Sequence, residues 1–132
     1  MASSIILQTY AFRNCFLEKQ TMDLKRKKCK PCEGGIATLT QSEITEFIKQ
    51  IHPSWKLVNN QRIVNQYSFV NYKHTLAFVN KIAALAEEED HHPVLHVYYG
   101  RIEIEIWTHA IHGLSENDFI LASKIDDLIQ AD

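Results

Sequence analysis

The sequence concentrates titratable side chains in one run, Glu87-Glu88-Glu89-Asp90-His91-His92-Pro93, and places Thr108-His109 at the end of a following alternating segment. Imidazoles beside carboxylates suit proton transfer near neutral pH: an unperturbed histidine titrates at about 6.5, so one ring can give a proton while its neighbour accepts one. A dehydration or an isomerisation needs no more than that. A single histidine is most often a surface or satisfied core residue, so such chemistry requires that the chain bring several together.

A β-hairpin would do so. Residues 94–98 and 101–108 are rich in β-formers, and Tyr99-Gly100 between them offers a position that tolerates positive φ. A two-residue turn that sets Tyr98 against Arg101 pairs Leu95 with Ile104 and Val94 with Glu105. Continued outward, the same register brings Asp90 and His91 opposite His109 and Thr108. On the second strand Ile102, Ile104 and Ile106 point one way, and Glu103, Glu105, Trp107 and His109 the other. His109 therefore leaves from the face opposite the isoleucines.

The acidic run is unusual where it stands. Carboxylates in the last turn of a helix meet the negative end of its dipole, at roughly 0.3–1 kcal/mol each, where Lys or Arg is the common choice. Glu87 and Asp90, three apart, share one helical face and are the better site candidates, whereas Glu88 and Glu89 fit a solvated patch equally well. Metal binding is the rival chemistry, since His91, His92, His96, His109 and His112 can supply three ligands beside a carboxylate. The spacing argues against it: neighbours in an extended segment point apart, and no helical HxxxH or HExxH is present.

The elements that must position these groups are legible from Thr40 onward. Thr40-Gln41-Ser42-Glu43 is a capping box, and Ile44, Phe47, Ile48 and Ile51 form one face of a helix ending before Pro53. Strands over about 55–58 and 62–70, joined by Asn59-Asn60, precede a helix over about 73–89. That helix carries Leu76, Val79, Ala83 and Ala86 together with Phe78, Ile82 and Leu85, an arc wider than a sheet face covers, and the excess suits a partner subunit. A last helix, capped by Ser115 with Asp118 at its third position, presents Leu121, Ala122, Ile125, Leu128 and Ile129. The order α-β-β-α-β-β-α predicts an α+β fold, a four-stranded antiparallel sheet with helices packed on one face.

A chain of 132 residues, 45% hydrophobic and 23% charged, fits one globular domain, and a net charge of −2 leaves no basic footprint for nucleic acid. No apolar run approaches the ~18 residues of a membrane span. The predicted division is an arm over 1–35, mobile or loosely docked, and a domain over 36–132. The arm holds Lys25-Arg26-Lys27-Lys28, read as a solvated basic face, and the pair Cys29 and Cys32, read as reduced thiols because a zinc site needs two more ligands. Met22 is an alternative start, and the opening lacks the pattern of a secretory signal, which predicts a cytoplasmic protein.

Residues 55–126 resemble the pterin-4a-carbinolamine dehydratase family. The resemblance rests on Asp90-His91-His92-Pro93, on Trp107-Thr108-His109, and on the helix start Gly113-Leu114-Ser115-Glu116-Asn117-Asp118, in that order. It implies this fold, a homodimer or homotetramer, and removal of water from a 4a-hydroxytetrahydropterin, with no metal and no organic cofactor. It also implies a functional link to an aromatic amino acid hydroxylase. His91 and His109 would donate protons to the departing hydroxyl, and His92 would contact the pterin and help remove the ring-nitrogen proton. Glu87, Asp90, Pro93, Thr108, Trp55 and Asp118 would bind the substrate or support its pocket. Val94 stands where the family often has an acidic residue, a change at the pocket rim that bears on substrate preference. The family also contains dimerisation cofactors of transcription factors, so a protein-binding role is the alternative, and the three histidines favour the enzyme.

Overall fold

The computed structural model describes residues 24–31 and 36–130. Helix α1, Gln41–Ile48, starts where expected: Thr40 Oγ1 accepts the Glu43 amide at 3.2 Å and Glu43 Oε1 accepts the Thr40 amide at 3.1 Å. These bonds hold the Glu43 carboxyl below its ordinary range. The helix stops at Ile48, and Ile51, expected on its face, is buried from the turn that follows.

Strands β1, Lys56–Val58, and β2, Arg62–Ser68, are joined through Asn59 and Asn60, both at φ 53°. Asparagine is among the few non-glycine residues that tolerate this left-handed conformation. Helix α2, Tyr72–Glu89, is capped by Asn71, whose side chain accepts the His74 amide. Its buried stripe runs Thr75, Phe78, Ile82, Ala86 and Glu89. Of the wide apolar arc, Ala83 is exposed, and Phe78 faces inward, packing at 5.2 Å from Tyr67 and 5.3 Å from Phe69.

Strands β3, Val94–Val97, and β4, Arg101–Ile106, complete an antiparallel sheet of order β1-β2-β4-β3. The hairpin has the expected register, Val94 opposite Glu105 and Leu95 opposite Ile104, with the Tyr98 amide donating to Arg101 O at 2.8 Å. Gly100 is required for space and not for a positive φ, since a Cβ there would lie 2.9 Å from Phe69 O. A single helical turn, His109–Ile111, then leads to helix α3, Glu116–Gln130.

The helices cover the sheet face that carries Ile63, Ile102, Ile104 and Ile106, which form the core with Phe78, Ile82, Phe119, Leu121 and Ile125. Each isoleucine buried there is worth about 1.5–3 kcal/mol. The arm expected to be loose lies mostly outside the described residues. Its segment 24–31 packs on the domain, with Leu24 and Cys29 joining the core cluster. No helix among the described residues is long and apolar enough to cross a membrane.

Candidate functional site

The end of α2 builds the first half of the site. Asp90 adopts φ 51°, ψ 39° and its amide donates back to Ala86 O and Glu87 O, while the His91 amide donates to Ala86 O at 3.2 Å. This left-handed closure satisfies carbonyls that a helix end would leave open. It also takes Asp90 off the helical face, so Glu87 and Asp90 do not share one: Asp90 is exposed, and Glu87 reaches forward to His92, Oε1 to Nε2 2.6 Å. The reversal sends the two imidazoles in opposite directions. His91 is 4% exposed, whereas 53% of the His92 side chain meets solvent before Pro93 leads into β3.

His91 Nε2 lies 2.6 Å from Asp118 Oδ1 in the first turn of α3. A carboxylate only accepts, so Nε2–H is the donor. Asp118 Oδ2 accepts Thr108 Oγ1 at 3.0 Å and the Ser115 amide at 2.8 Å. Thr108 and Ser115 hydroxyls lie 2.6 Å apart. Ser115 thus precedes the helix as expected, but its hydroxyl is engaged with Thr108, and Asp118 supplies the capping bond. Every member of this group is buried, as an internal carboxylate requires when its partners are all present.

His109 completes the second half. The Thr108 amide donates to Gly113 O at 2.9 Å, closing a loop from which His109 projects, exposed, with its ring 4.3 Å from that of Trp107. Ladder pairing between β3 and β4 ends at Val94 and Glu105, because Pro93 brings no amide hydrogen and the α2 cap follows immediately. His91 and Thr108 consequently meet through Asp118 and not as a ladder pair. A cleft of about 260 Å³ lined by Gln61, Arg62, Trp107 and His112 opens beside this loop.

Trp55 stands apart. Its Nε1–H donates to Asp126 Oδ1 at 2.9 Å, where the Tyr67 hydroxyl also donates at 2.8 Å, about two turns along α3 from Asp118. Burial and the Asp126 carboxylate push the Tyr67 hydroxyl upward. His96 pairs with Glu105 on the open face of the sheet. Among the described residues no group of three or more His, Cys, Asp or Glu side chains is placed to hold a metal ion.

Glu89, whose position fits a solvated patch as well as a site, is the buried acid of the run, 5% exposed. It accepts Lys124 Nζ and the Cys29 amide, the latter at 2.9 Å. Burial pushes its carboxyl up, but these donors outweigh that and hold it below its ordinary range. The signal was present in the spacing, since Ile82, Ala86 and Glu89 continue one helical stripe. Cys29 is buried and its thiol is pushed up to about 12, first by burial and then by Glu89. Met22 and Cys32 lie outside the described residues.

Residues 37–128 match the family model described as pterin 4 alpha carbinolamine dehydratase. A provisionally named pterin-4-alpha-carbinolamine dehydratase of Nitrosomonas eutropha is 50% identical over 107 residues, 81% of this chain and 94% of the relative. A Rickettsia canadensis relative with the same provisional name is 46% identical over 106 residues, 80% of this chain and 97% of its own. Among solved structures, a transcriptional coactivator/pterin dehydratase from Brucella melitensis superposes with TM-score 0.65 at 28% identity, covering 70% of this chain and 98% of its own. A pterin dehydratase-like protein identified as a RuBisCO assembly factor in the alpha-carboxysome gives TM-score 0.50 at 25% identity, covering 58% and 90% respectively. With most of the domain matched in sequence and its α+β architecture shared, this chain belongs to the pterin-4a-carbinolamine dehydratase family.

Proposed function

We propose that this protein dehydrates 4a-hydroxytetrahydropterin to the quinonoid dihydropterin by histidine acid–base catalysis, in tetrahydropterin recycling. The observation that carries the proposal is one turn bearing two adjacent imidazoles, each with its own carboxylate: His91 with Asp118 at 2.6 Å and His92 with Glu87 at 2.6 Å. In the reaction the C4a–O bond breaks, the hydroxyl leaves as water with a donated proton, N5 loses its proton, and the C4a=N5 double bond forms. His91 and His109 are assigned as donors and His92 as the group that contacts the pterin and relieves N5 of its proton. Of the two donors His109 is exposed and His91 buried, so His109 is assigned the larger share of direct transfer. Asp118 and Thr108 fix His91, Glu87 fixes His92, and Asp90 and Pro93 set the turn. Trp55 supports the domain beneath, through Asp126.

A positioned acid or base contributes about 10²- to 10⁴-fold, enough for a carbinolamine that already collapses slowly in water. The same reading makes the protein cytoplasmic, a homodimer or homotetramer, functionally linked to an aromatic amino acid hydroxylase, and divided into an arm over 1–35 and a domain over 36–132. The test is direct: freshly generated 4a-hydroxytetrahydropterin is mixed with the protein and the quinonoid product followed by absorbance. Formation accelerated in proportion to protein concentration supports the reading, and a rate equal to the buffer rate contradicts it.

A second reading, protein binding, is favoured by a separate observation. At the other end of α2, Val70 is 88% and Tyr99 71% exposed, with Tyr72 and Tyr98 beside them. Two of the structural neighbours are described as a coactivator and an assembly factor. The two roles are compatible because they use opposite ends of the helix.

A further inference from the structure

We propose that residues 24–31 act as a positioning clamp for the His91–Asp118 pair, so that this part of the arm belongs to the working site. The inference rests on the dehydratase reading for its kinetic consequence and on geometry alone for its structural one. The arm grips the two backbone segments from which the buried pair departs. On the α2 side, the Cys29 amide donates to Glu89, two residues before His91, at 2.9 Å, and Lys124 of α3 donates to the other oxygen of the same carboxylate. On the α3 side, the Lys30 amide donates to Asn117 Oδ1 at 2.9 Å and Asn117 Nδ2 donates to Lys30 O at 2.7 Å, one residue before Asp118. The Cys29 thiol adds a contact to Asn117 O at 3.6 Å. Leu24 is buried in the core cluster, and Lys25 and Lys27 pair with Asp127 and Glu116 on α3 at 2.7 and 2.5 Å.

Glu89 is thus tied at once to the arm and to α3, and Asn117 to the arm on both its amide atoms. The strongest of these ties are buried and charge-assisted, the class whose loss is felt most. The exposed lysine pairs contribute little energy and mainly fix where the segment lies. Without the clamp, the cap of α2 and the start of α3 would still be joined by the His91–Asp118 contact, the Lys124–Glu89 bond and the α2–α3 packing, but would lose the ties that hold Glu89 and Asn117 to a common segment. Groups that orient metal ligands from behind alter activity about 10- to 100-fold when lost, and an effect at the lower end of that range is expected for an imidazole held the same way.

The arm can be released without touching any proposed site residue. In Lys27→Glu/Lys30→Pro the first change opposes Glu116 with a like charge, and the second removes the amide hydrogen that Asn117 accepts. Asn117→Ala severs the same tie from the α3 side and guards against an effect peculiar to the arm variant. The readouts are the ring-nitrogen NMR signal of His91, amide exchange at Cys29, and kcat and KM for the carbinolamine, all on the full chain. The expected result is faster exchange at Cys29, a displaced His91 signal and a roughly tenfold lower kcat with KM within about twofold. An unmoved His91 signal in protein whose arm exchanges freely overturns the clamp. If the wild-type protein shows no dehydration, the dehydratase reading fails by itself, and the His91 signal still decides the clamp.

Discussion

The two ends of α2 are opposite kinds of surface, separated by about 27 Å of helix. At the C-terminal end Glu87, Glu89, His91 and His92 each have a named polar partner, and the partners of Glu89 and His91 come from the arm and α3, far away in sequence. At the N-terminal end Tyr72 stacks on Tyr99 at 6.4 Å and the Arg101 guanidinium lies 4.0 Å over the Tyr98 ring, while Val70 and Tyr99 stay uncovered. One end uses directional contacts to fix imidazoles, buried for His91 and exposed for His92. The other offers apolar area without directional commitments. Substitutions should therefore separate: the first end governs turnover, and the second governs association.

The largest effect is expected for Asp118→Ala. It removes the acceptor of His91, Thr108 and the Ser115 amide together, in a buried setting. Turnover should fall at least about 10²-fold and stability by about 3 kcal/mol, read by stopped-flow kinetics and urea unfolding. His109→Ala should also lower turnover by about 10²-fold yet leave the unfolding midpoint in place, because the ring is exposed and touches mainly Trp107. A comparable loss of stability in both variants would erase the distinction between the buried and the open imidazole.

Acid titration sharpens the contrast within the polar end. The Glu89 carboxyl is held below its ordinary value of 4.5, so the folded state binds fewer protons than the unfolded chain there. Its contribution is present above pH 4.5 and is lost as pH falls through the lower folded value. Stability in the wild type should therefore decline more steeply below pH 4.5 than in Glu89→Gln. The Cys29 thiol acts in the opposite direction: raised from 9.0 to about 12, its contribution is retained below pH 9 and lost as pH rises from there. Smallest of all is the effect expected at the aromatic end, where Tyr99→Ser should leave turnover within about twofold of wild type. A drop in self-association or partner capture by the same variant, seen in sedimentation, would complete the separation.

Much of this arrangement was legible in local patterns. The Tyr99-Gly100 turn and strand alternation set the hairpin register residue by residue, and the Thr40/Glu43 pair marked the start of α1. Local patterns were less informative where the deciding partner is distant or the backbone departs from its period. Asp90 looked like a helical neighbour of Glu87, but the left-handed cap moves it off the face. For Glu89 the local pattern does not decide between a solvated patch and a site, because its partners, Cys29 and Lys124, lie far from it in sequence. Ser115 looked like an ordinary cap until Thr108 claimed its hydroxyl, and nothing in the sequence joins Trp55 to Asp126.

The central claim is that exposed and buried imidazoles held at the C-terminal end of α2 and the adjoining loop perform a metal-independent dehydration. It is tested most directly by the decay of freshly generated 4a-hydroxytetrahydropterin in chelator-treated buffer, with wild type and with His91→Ala/His109→Ala. Fast decay with wild type and near-background decay with the variant is the predicted result. Equal rates for the two proteins, fast or slow, would contradict it.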